Sequence, residues 1–276
     1  MSSENANTNP QWAALLSEAV SKPGLLLAAY SAFHRYSVGN QLLALAQCRG
    51  RGITPGPLAT FPGWKEKGRH VRKGERALTL CIPVTLKGQT SEGEERFTRF
   101  VYKPRWFVLA QTEGEDVEPE PAPGWDKAAA LAALDVSEVL FELPDGNTQG
   151  YAKGRAVAVS PLAALPHKTL FHELAQVVLG HTAEGPTHDG ELTPRDLLEA
   201  EAESVALILC ETLGLDEAEY CRGYVQNWLR GDCIPERSAQ KIFHAADVIL
   251  RAGRVVISLR GGGVLATPRP YGNARS

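Results

Sequence analysis

The chain has 276 residues, of which 43% are hydrophobic and 22% charged, and carries a net charge of −3. That length holds one large domain or two ordinary ones, and the composition is that of a globular chain rather than a disordered or fibrous one. The longest apolar runs, such as LLLAAY after Gly24, fall far short of the roughly 20 residues needed to span a bilayer, and the N-terminal MSSENANTNPQW lacks the basic start and apolar stretch of a secretory signal, so a cytoplasmic protein without membrane contact is expected. Five scattered cysteines (Cys48, Cys81, Cys210, Cys221, Cys233) form no C-x-x-C pair, which argues against a zinc ribbon or a disulfide framework and fits a reducing compartment.

Taken in chain order, WAALLSEAV and LLLAAYSAFHRYSVGNQLLALAQ repeat apolar residues at three- and four-residue spacing, with Pro23-Gly24 as the break, and predict helices. Tyr36, Asn40 and Gln47 fall along one stripe of the second stretch, and a partly solvated helix face is the plain expectation. A Gly/Pro-rich loop leads to FPGWKEKGRHVRKGERALTLCIPVTL. Its middle holds six bases (Lys65, Lys67, Arg69, Arg72, Lys73, Arg76) against Glu66 and Glu75. ALTLCIPVTL alternates as a strand does, RFTRFVYKPRWFVLAQ is its expected partner, and the acidic GQTSEGEE between them is expected to be a hairpin loop. Residues 1–112 hold 15 Lys/Arg against 7 Asp/Glu, whereas EGEDVEPEPAPG at 113–124 has five acids, three prolines and no base. This division predicts a basic first domain (1–112), a flexible or extended linker (113–124) and a second domain (125–276) without the basic excess.

The second domain opens with WDKAAALAALDVSEVLFEL, a helix and a short apolar run, followed by a turn and a strand at AVAVS. The next helix, PHKTLFHELAQVVLGH, ends at Gly180. LLEAEAESVALILCETLGL, about 30 residues on, is strongly helical and carries Glu199, Glu201 and Glu203. The tail from Arg254 holds a short strand and says little else.

Within the PHKTLFHELAQVVLGH helix, LFHELAQVVLGH at 170–181 has the outline of H-E-x-x-H with one ligand replaced. In that motif two histidines four residues apart grip zinc on one helix face, and the adjacent glutamate is general base for the bound water. His172 and Glu173 are in place, but Gln176 stands where the second histidine belongs. A neutral carboxamide is a poor substitute for imidazole on a transition metal, so zinc is expected to be held weakly or not at all and catalysis is disfavoured. His181 lies about 180° around the helix from His172 and would reach a metal only if the chain reversed after Gly180. His167 is about 140° off, and His188 sits in a loop that would have to fold back. Glu199, Glu201 and Glu203 are spaced at two, so no neighbouring pair can face one ion.

In the first domain, bases beside Trp64, with Tyr36, Tyr102 and Trp106 elsewhere, suit nucleic acid: cations neutralise phosphates and flat rings stack on unpaired bases. YSVGNQLLALAQ, FPGWKEKGRHVRKGERALTLCIPV and FVLAQTE, in that order over roughly residues 10–113, resemble the N-terminal domain of the ArdC-type antirestriction proteins of conjugative plasmids and integrative elements, whose relatives occur in TraC-type conjugative primases. The resemblance implies sequence-tolerant binding of single-stranded DNA, with Tyr36, Asn40, Trp64, Arg69, Lys73 and Glu75 on the family pattern and the basic run from Lys65 through Lys67 and Arg72 to Arg76 as DNA contacts. HELAQVVLGHT likewise resembles the IrrE/ArdC-like, gluzincin-related peptidases, whose A-E-x-x-A string falls on 202–206 and selects Glu203 as third ligand, with Glu201 second.

The expectation is therefore an α+β protein with an N-terminal α/β single-stranded-DNA-binding domain and a C-terminal, mostly helical, zincin-like domain. Three functions compete. The first is a DNA-binding antirestriction protein that protects transferred strands, with the second domain as scaffold. The second is an active zinc peptidase, with Glu173 as base and His172, Gln176 and Glu203 on the metal. The third is a module that binds a protein partner without cutting it. Gln176 weighs against the second.

Overall fold

The computed structural model describes residues 11–90, 93–118, 120–142, 147–182, 195–229 and 234–255; for 88–97 and 227–229 only the backbone is described. The chain divides into two compact units. One comprises residues 1–15 and 28–121, the other residues 16–27 and 122–276.

The first unit holds the start of α1 (Trp12–Ser21), the end of α2 (Leu25–Phe33) and all of α3 (Val38–Arg51). β1 (Leu58–Thr60), the short α4 (Phe61–Glu66), β2 (Arg69–Val71), β3 (Leu78–Thr90), β4 (Gly93–Val108), a 3-10 turn (Leu109–Gln111) and β5 (Thr112–Gly114) follow. The sheet order is β1-β4-β3, with β3 and β4 antiparallel from Leu78↔Trp106 to Thr90↔Gly93. The expected strand pair is present, but it runs through most of the GQTSEGEE stretch that sequence assigned to a loop, and only residues 91–92 separate the strands. FVLAQ, in turn, leaves the strand after Val108.

β3 is an edge strand, and its free backbone is occupied by α3. Asn40 donates to Cys81 O (2.8 Å) while its Oδ1 accepts from Cys81 N (2.8 Å). Gln47 repeats the pairing on Thr79, at 2.8 and 2.9 Å. Residues seven apart share a helix face and residues two apart share a strand edge, so two amides seal four backbone groups. The polar stripe expected to be solvated is thus structural, and Asn40, a predicted DNA contact, is buried with both amide ends engaged.

The acidic stretch from 113 begins in a strand of the first unit. Glu113 and Gly114 lie in β5, which pairs with β2, and Arg69 donates to Thr112 Oγ1 (2.8 Å), Gly114 O (3.2 Å) and Glu115 O.

The second unit contains β6 (Gly124–Trp125), α5 (Lys127–Leu134), β7 (Ser137–Glu138), β8 (Gly150–Lys153), β9 (Ala156–Val159), α6 (Pro166–Leu179), α7 (Arg195–Thr212), α8 (Ala218–Leu229), α9 (Glu236–Ala252) and β10 (Arg254–Val255). β7-β9-β8 form a small sheet, β6 pairs with β10, and the helices supply most of the core. α8 and α9 were not anticipated from sequence. α7 is buried almost throughout from Ala200 to Thr212, so Glu201, Glu203 and Glu211 face protein rather than water, while Glu199 is half-buried. The residues after Val255 lie outside the described ones, as does the loop carrying His188. Among the described residues no helix is long and apolar enough to cross a membrane. Cys48, Cys81, Cys210 and Cys221 are buried and free of disulfides.

Candidate functional site

α6 presents His172, Glu173 and Gln176 towards α7. His172 is nearly buried, with Nε2 3.5 Å from Glu199 Oε2 and Nδ1 in an ion-pair contact of 3.2 Å with Glu203 Oε1. Glu199 and Glu203, four residues apart, share one face of α7, whereas Glu201 points elsewhere. The sequence-based third ligand, Glu203, therefore lies on the Nδ1 side of the imidazole, and Glu199 occupies the Nε2 side. Glu203 is held in turn by Lys168 (2.5 Å), whose ammonium also sits 4.4 Å from the centre of the Tyr224 ring. Sequence reasoning gave Lys168 and Glu199 no role. Their spacing of four from His172 and from Glu203 was the available signal.

His181 resolves differently from the sequence expectation. Gly180 adopts a left-handed backbone (φ 81°), and His181 N bonds to Gln176 O at 2.9 Å, closing the helix end. This reversal returns the His181 ring to α6, with Nδ1 2.9 Å from the Gln176 amide and Nε2 3.0 Å from Glu201. Glu201 therefore serves His181, and the Gln176 amide bridges His181 and His172, whose Nε2 is 3.3 Å away. His167 pairs with Glu217 at 3.1 Å, away from these groups.

Charge in this cluster is tuned by burial and neighbours. Burial by itself would lower the His172 pKa, but its contacts with Glu199 and Glu203 outweigh it and raise the value to about 9. Burial pushes Glu173 up to about 7, with His172 pulling the other way. Glu199 is held below the usual carboxylate range, chiefly by His172; Glu203 also titrates low, because His172 and Lys168 overcome its burial. β8 passes directly over this region: a side chain at Gly150 would come within 2.5 Å of Thr169 Cγ2 and 3.2 Å of Glu173 Oε1. Only glycine fits there, and it keeps space beside Glu173.

Among the described residues no three His, Cys, Asp or Glu side chains converge as a metal set, so a third donor has to be the Gln176 amide. Two donors bound tetrahedrally at about 2.1 Å lie about 3.4 Å apart. The separation from His172 Nε2 to Glu199 (3.5 Å) matches that edge length. The Gln176 atom 3.3 Å from Nε2 is the amide nitrogen, and its oxygen, the end that can bind a cation, faces His181, so the amide would have to turn end for end to serve. One imidazole and one carboxylate, completed by an amide oxygen, would make a harder donor set than the two-imidazole centre of zinc peptidases. His172 Nδ1 and Glu203 Oε2 are buried without an aligned hydrogen bond among the described residues.

In the first unit, the predicted DNA-contacting residues separate into two groups. Trp64 is 1% exposed and donates its indole N–H to Phe107 O (2.8 Å), so it is a core residue rather than an open stacking platform. Tyr36 donates to Leu58 O at 2.8 Å. Arg69 holds β5, and Arg72 pairs with Glu75 (2.9 Å) and Ala110 O. Glu75 also accepts from Gln111 (3.0 Å). Lys65, Lys67, Lys73 and Arg76 are exposed, and their side chains make no hydrogen bond or ion pair among the described residues.

A chain with this arrangement is a two-unit α+β protein with a basic N-terminal unit and a largely helical second unit. Residues 4–119 match the family model described as the N-terminal domain of anti-restriction factor ArdC. Two solved structures of the antirestriction ArdC protein from the R388 plasmid match 88% of this chain and 98% of their own. The Mn(II)-bound form is 19% identical with a TM-score of 0.50, and the metal-free form 16% identical with a TM-score of 0.47. No curated protein matches the chain. Residues 4–119 thus carry an ArdC-type N-terminal domain, and the chain shares the fold of the Mn(II)-bound ArdC structure.

Proposed function

We propose that the protein is a sequence-tolerant single-stranded-DNA-binding protein of a mobile element that protects transferred DNA against restriction in the recipient cytoplasm. The observation that carries this reading is the set of four exposed, unpaired cations, Lys65, Lys67, Lys73 and Arg76, on one small unit. Cations not committed to internal partners are available to displace counterions from phosphates, a contribution that is independent of sequence and sensitive to salt. Arg69, Arg72, Asn40 and Trp64 support the surface that displays them. The test is fluorescence anisotropy with labelled oligonucleotides over a salt series. Lys73→Glu with Arg76→Glu should weaken binding at least tenfold for every sequence and flatten the salt slope by about two. An unchanged slope would remove these residues from the interface.

A second reading, a metal-dependent peptidase, is favoured by the Mn(II)-bound ArdC structure and by the donor spacing around His172. In this reading His172, Gln176 and Glu199 would hold a divalent cation. When bound, the ion would supply Lewis-acid polarisation of a carbonyl. Glu203 and Lys168 orient the His172 ring from its far side, His181 with Glu201 fixes the amide, and Glu173, with its carboxyl poised near neutrality, takes or returns a proton. The single imidazole favours weak binding and keeps this reading second.

A further inference from the structure

The first unit contains a cavity of about 720 Å³ between the end of α2, α3, the loop after it and β1. Phe33, Leu45, Leu58 and Trp64 give it an apolar interior, and Phe33, Leu58 and Trp64 are buried behind it. The exposed Arg35, Arg49 and Lys67 stand on its rim. The acidic stretch comes back to this rim: Glu118 and Glu120 line it, and Glu120 is ion-paired with Arg35. On the other side of the loop, residues 51–54 border a polar pocket of about 610 Å³ carrying Arg51, Arg72 and Arg76. Its single acid, Glu75, is already engaged by Arg72 and Gln111. One loop thus separates an apolar, aromatic-walled cavity from an arginine-lined one.

Single-stranded nucleic acid offers those two chemistries in alternation, a flat apolar base and a phosphate. A paired base offers no free face, and a cavity of this size takes a whole small group rather than an edge. The geometry points to a nucleotide subsite in which an unstacked base enters the cavity, the flanking phosphates meet Arg35, Arg49 and Lys67 on one side and Arg51 and Arg76 on the other, and Glu118 and Glu120 compete for the rim cations. This rests on the single-stranded-DNA reading above and locates its base-dependent part. The Glu120 carboxylate at Arg35, with Glu118 beside it on the rim, acts as an internal phosphate substitute, so removing these charges strengthens DNA binding.

The test uses the full chain, labelled strands of about 12 nucleotides and equal-length strands of abasic sites. Ala32→Trp, which places an indole in the cavity, should lower affinity about tenfold for the base-bearing strand and less than twofold for the abasic one. Glu118→Gln with Glu120→Gln should raise affinity severalfold for both. A strand with 2-aminopurine should brighten on binding to the unsubstituted protein as the base leaves its neighbours, a readout that needs no variant. Equal losses on both strands, unchanged binding by Ala32→Trp, or no change in 2-aminopurine emission overturns the subsite. Absence of any binding of the unsubstituted protein to either strand overturns the single-stranded-DNA reading itself.

Discussion

At Gln176 a single amide replaces an imidazole, and the surrounding residues have settled around it. His181 reaches it because Gly180 takes a left-handed turn, and Glu201 fixes His181 from behind at 3.0 Å. With the ion absent, the charge states of His172 and Glu173 determine how this cluster responds to pH. A group whose folded pKa is raised contributes stability below its unfolded value and loses it as pH climbs through the folded one. Glu173 therefore withdraws stability between about 4.5 and 7, and His172 between about 6.5 and 9. Glu199 and Glu203, with lowered values, contribute above 4.5 and lose their share as pH falls. The urea midpoint of the metal-free protein should peak near pH 5, where the gain from Glu199 and Glu203 gives way to the loss from Glu173, and decline towards pH 9, and Glu173→Gln should flatten the decline between 5 and 7. A midpoint rising steadily to pH 9 would contradict a protonated His172. The H-E pair and the amide in place of histidine were legible in the chain. That Glu199 and Glu203 face opposite ring nitrogens of His172 was not, since it depends on how the imidazole meets successive turns of α7.

At the level of elements, two polar devices do work usually left to apolar packing. The amides of Asn40 and Gln47 close the β3 edge. In the second unit the buried Arg222–Glu211 pair fastens the corner between α1 and α2. Arg222 donates to Ala19 O and Val20 O in the last turn of α1, and Glu211 accepts from Leu26 N in the first turn of α2, at 3.0 Å. A cation on a helix C-terminus and an anion on a helix N-terminus both suit the local dipoles. The helices and their Pro23-Gly24 break could be read from periodicity. The clamp could not, because its two halves lie about 200 residues apart in sequence. Arg222→Ala leaves Glu211 buried without its cation and should cost about 3–5 kcal/mol in urea unfolding. Arg222→Met with Glu211→Leu should recover much of that loss. If Arg222→Ala costs under about 1 kcal/mol, the corner is held by its leucines alone.

At the scale of the whole chain, charge is partitioned: the cations proposed to meet DNA lie in the first unit, and the His172, Gln176 and Glu199 cluster lies in the second. That partition was visible in composition, and it predicts two properties that mutations can separate. A ligand binding only the folded state stabilises it by about 2.7 kcal/mol at a hundredfold excess over Kd. Added Mn²⁺ should therefore raise the melting temperature of the unsubstituted protein through His172, Gln176 and Glu199, and Glu199→Ala should abolish the rise while leaving DNA affinity within twofold. Lys73→Glu with Arg76→Glu should do the reverse, losing DNA and keeping the Mn²⁺ response. Gln176→His adds the missing imidazole and should shift the preferred ion from Mn²⁺ to Zn²⁺, since imidazole donors favour the softer metal. If Glu199→Ala loses DNA and ion response together, the two properties belong to one site and the division of labour proposed here fails. If the Mn²⁺ response persists in Glu199→Ala but vanishes in Glu203→Ala, the carboxylate on the Nδ1 side is the ligand and the arrangement around His172 changes when the ion arrives.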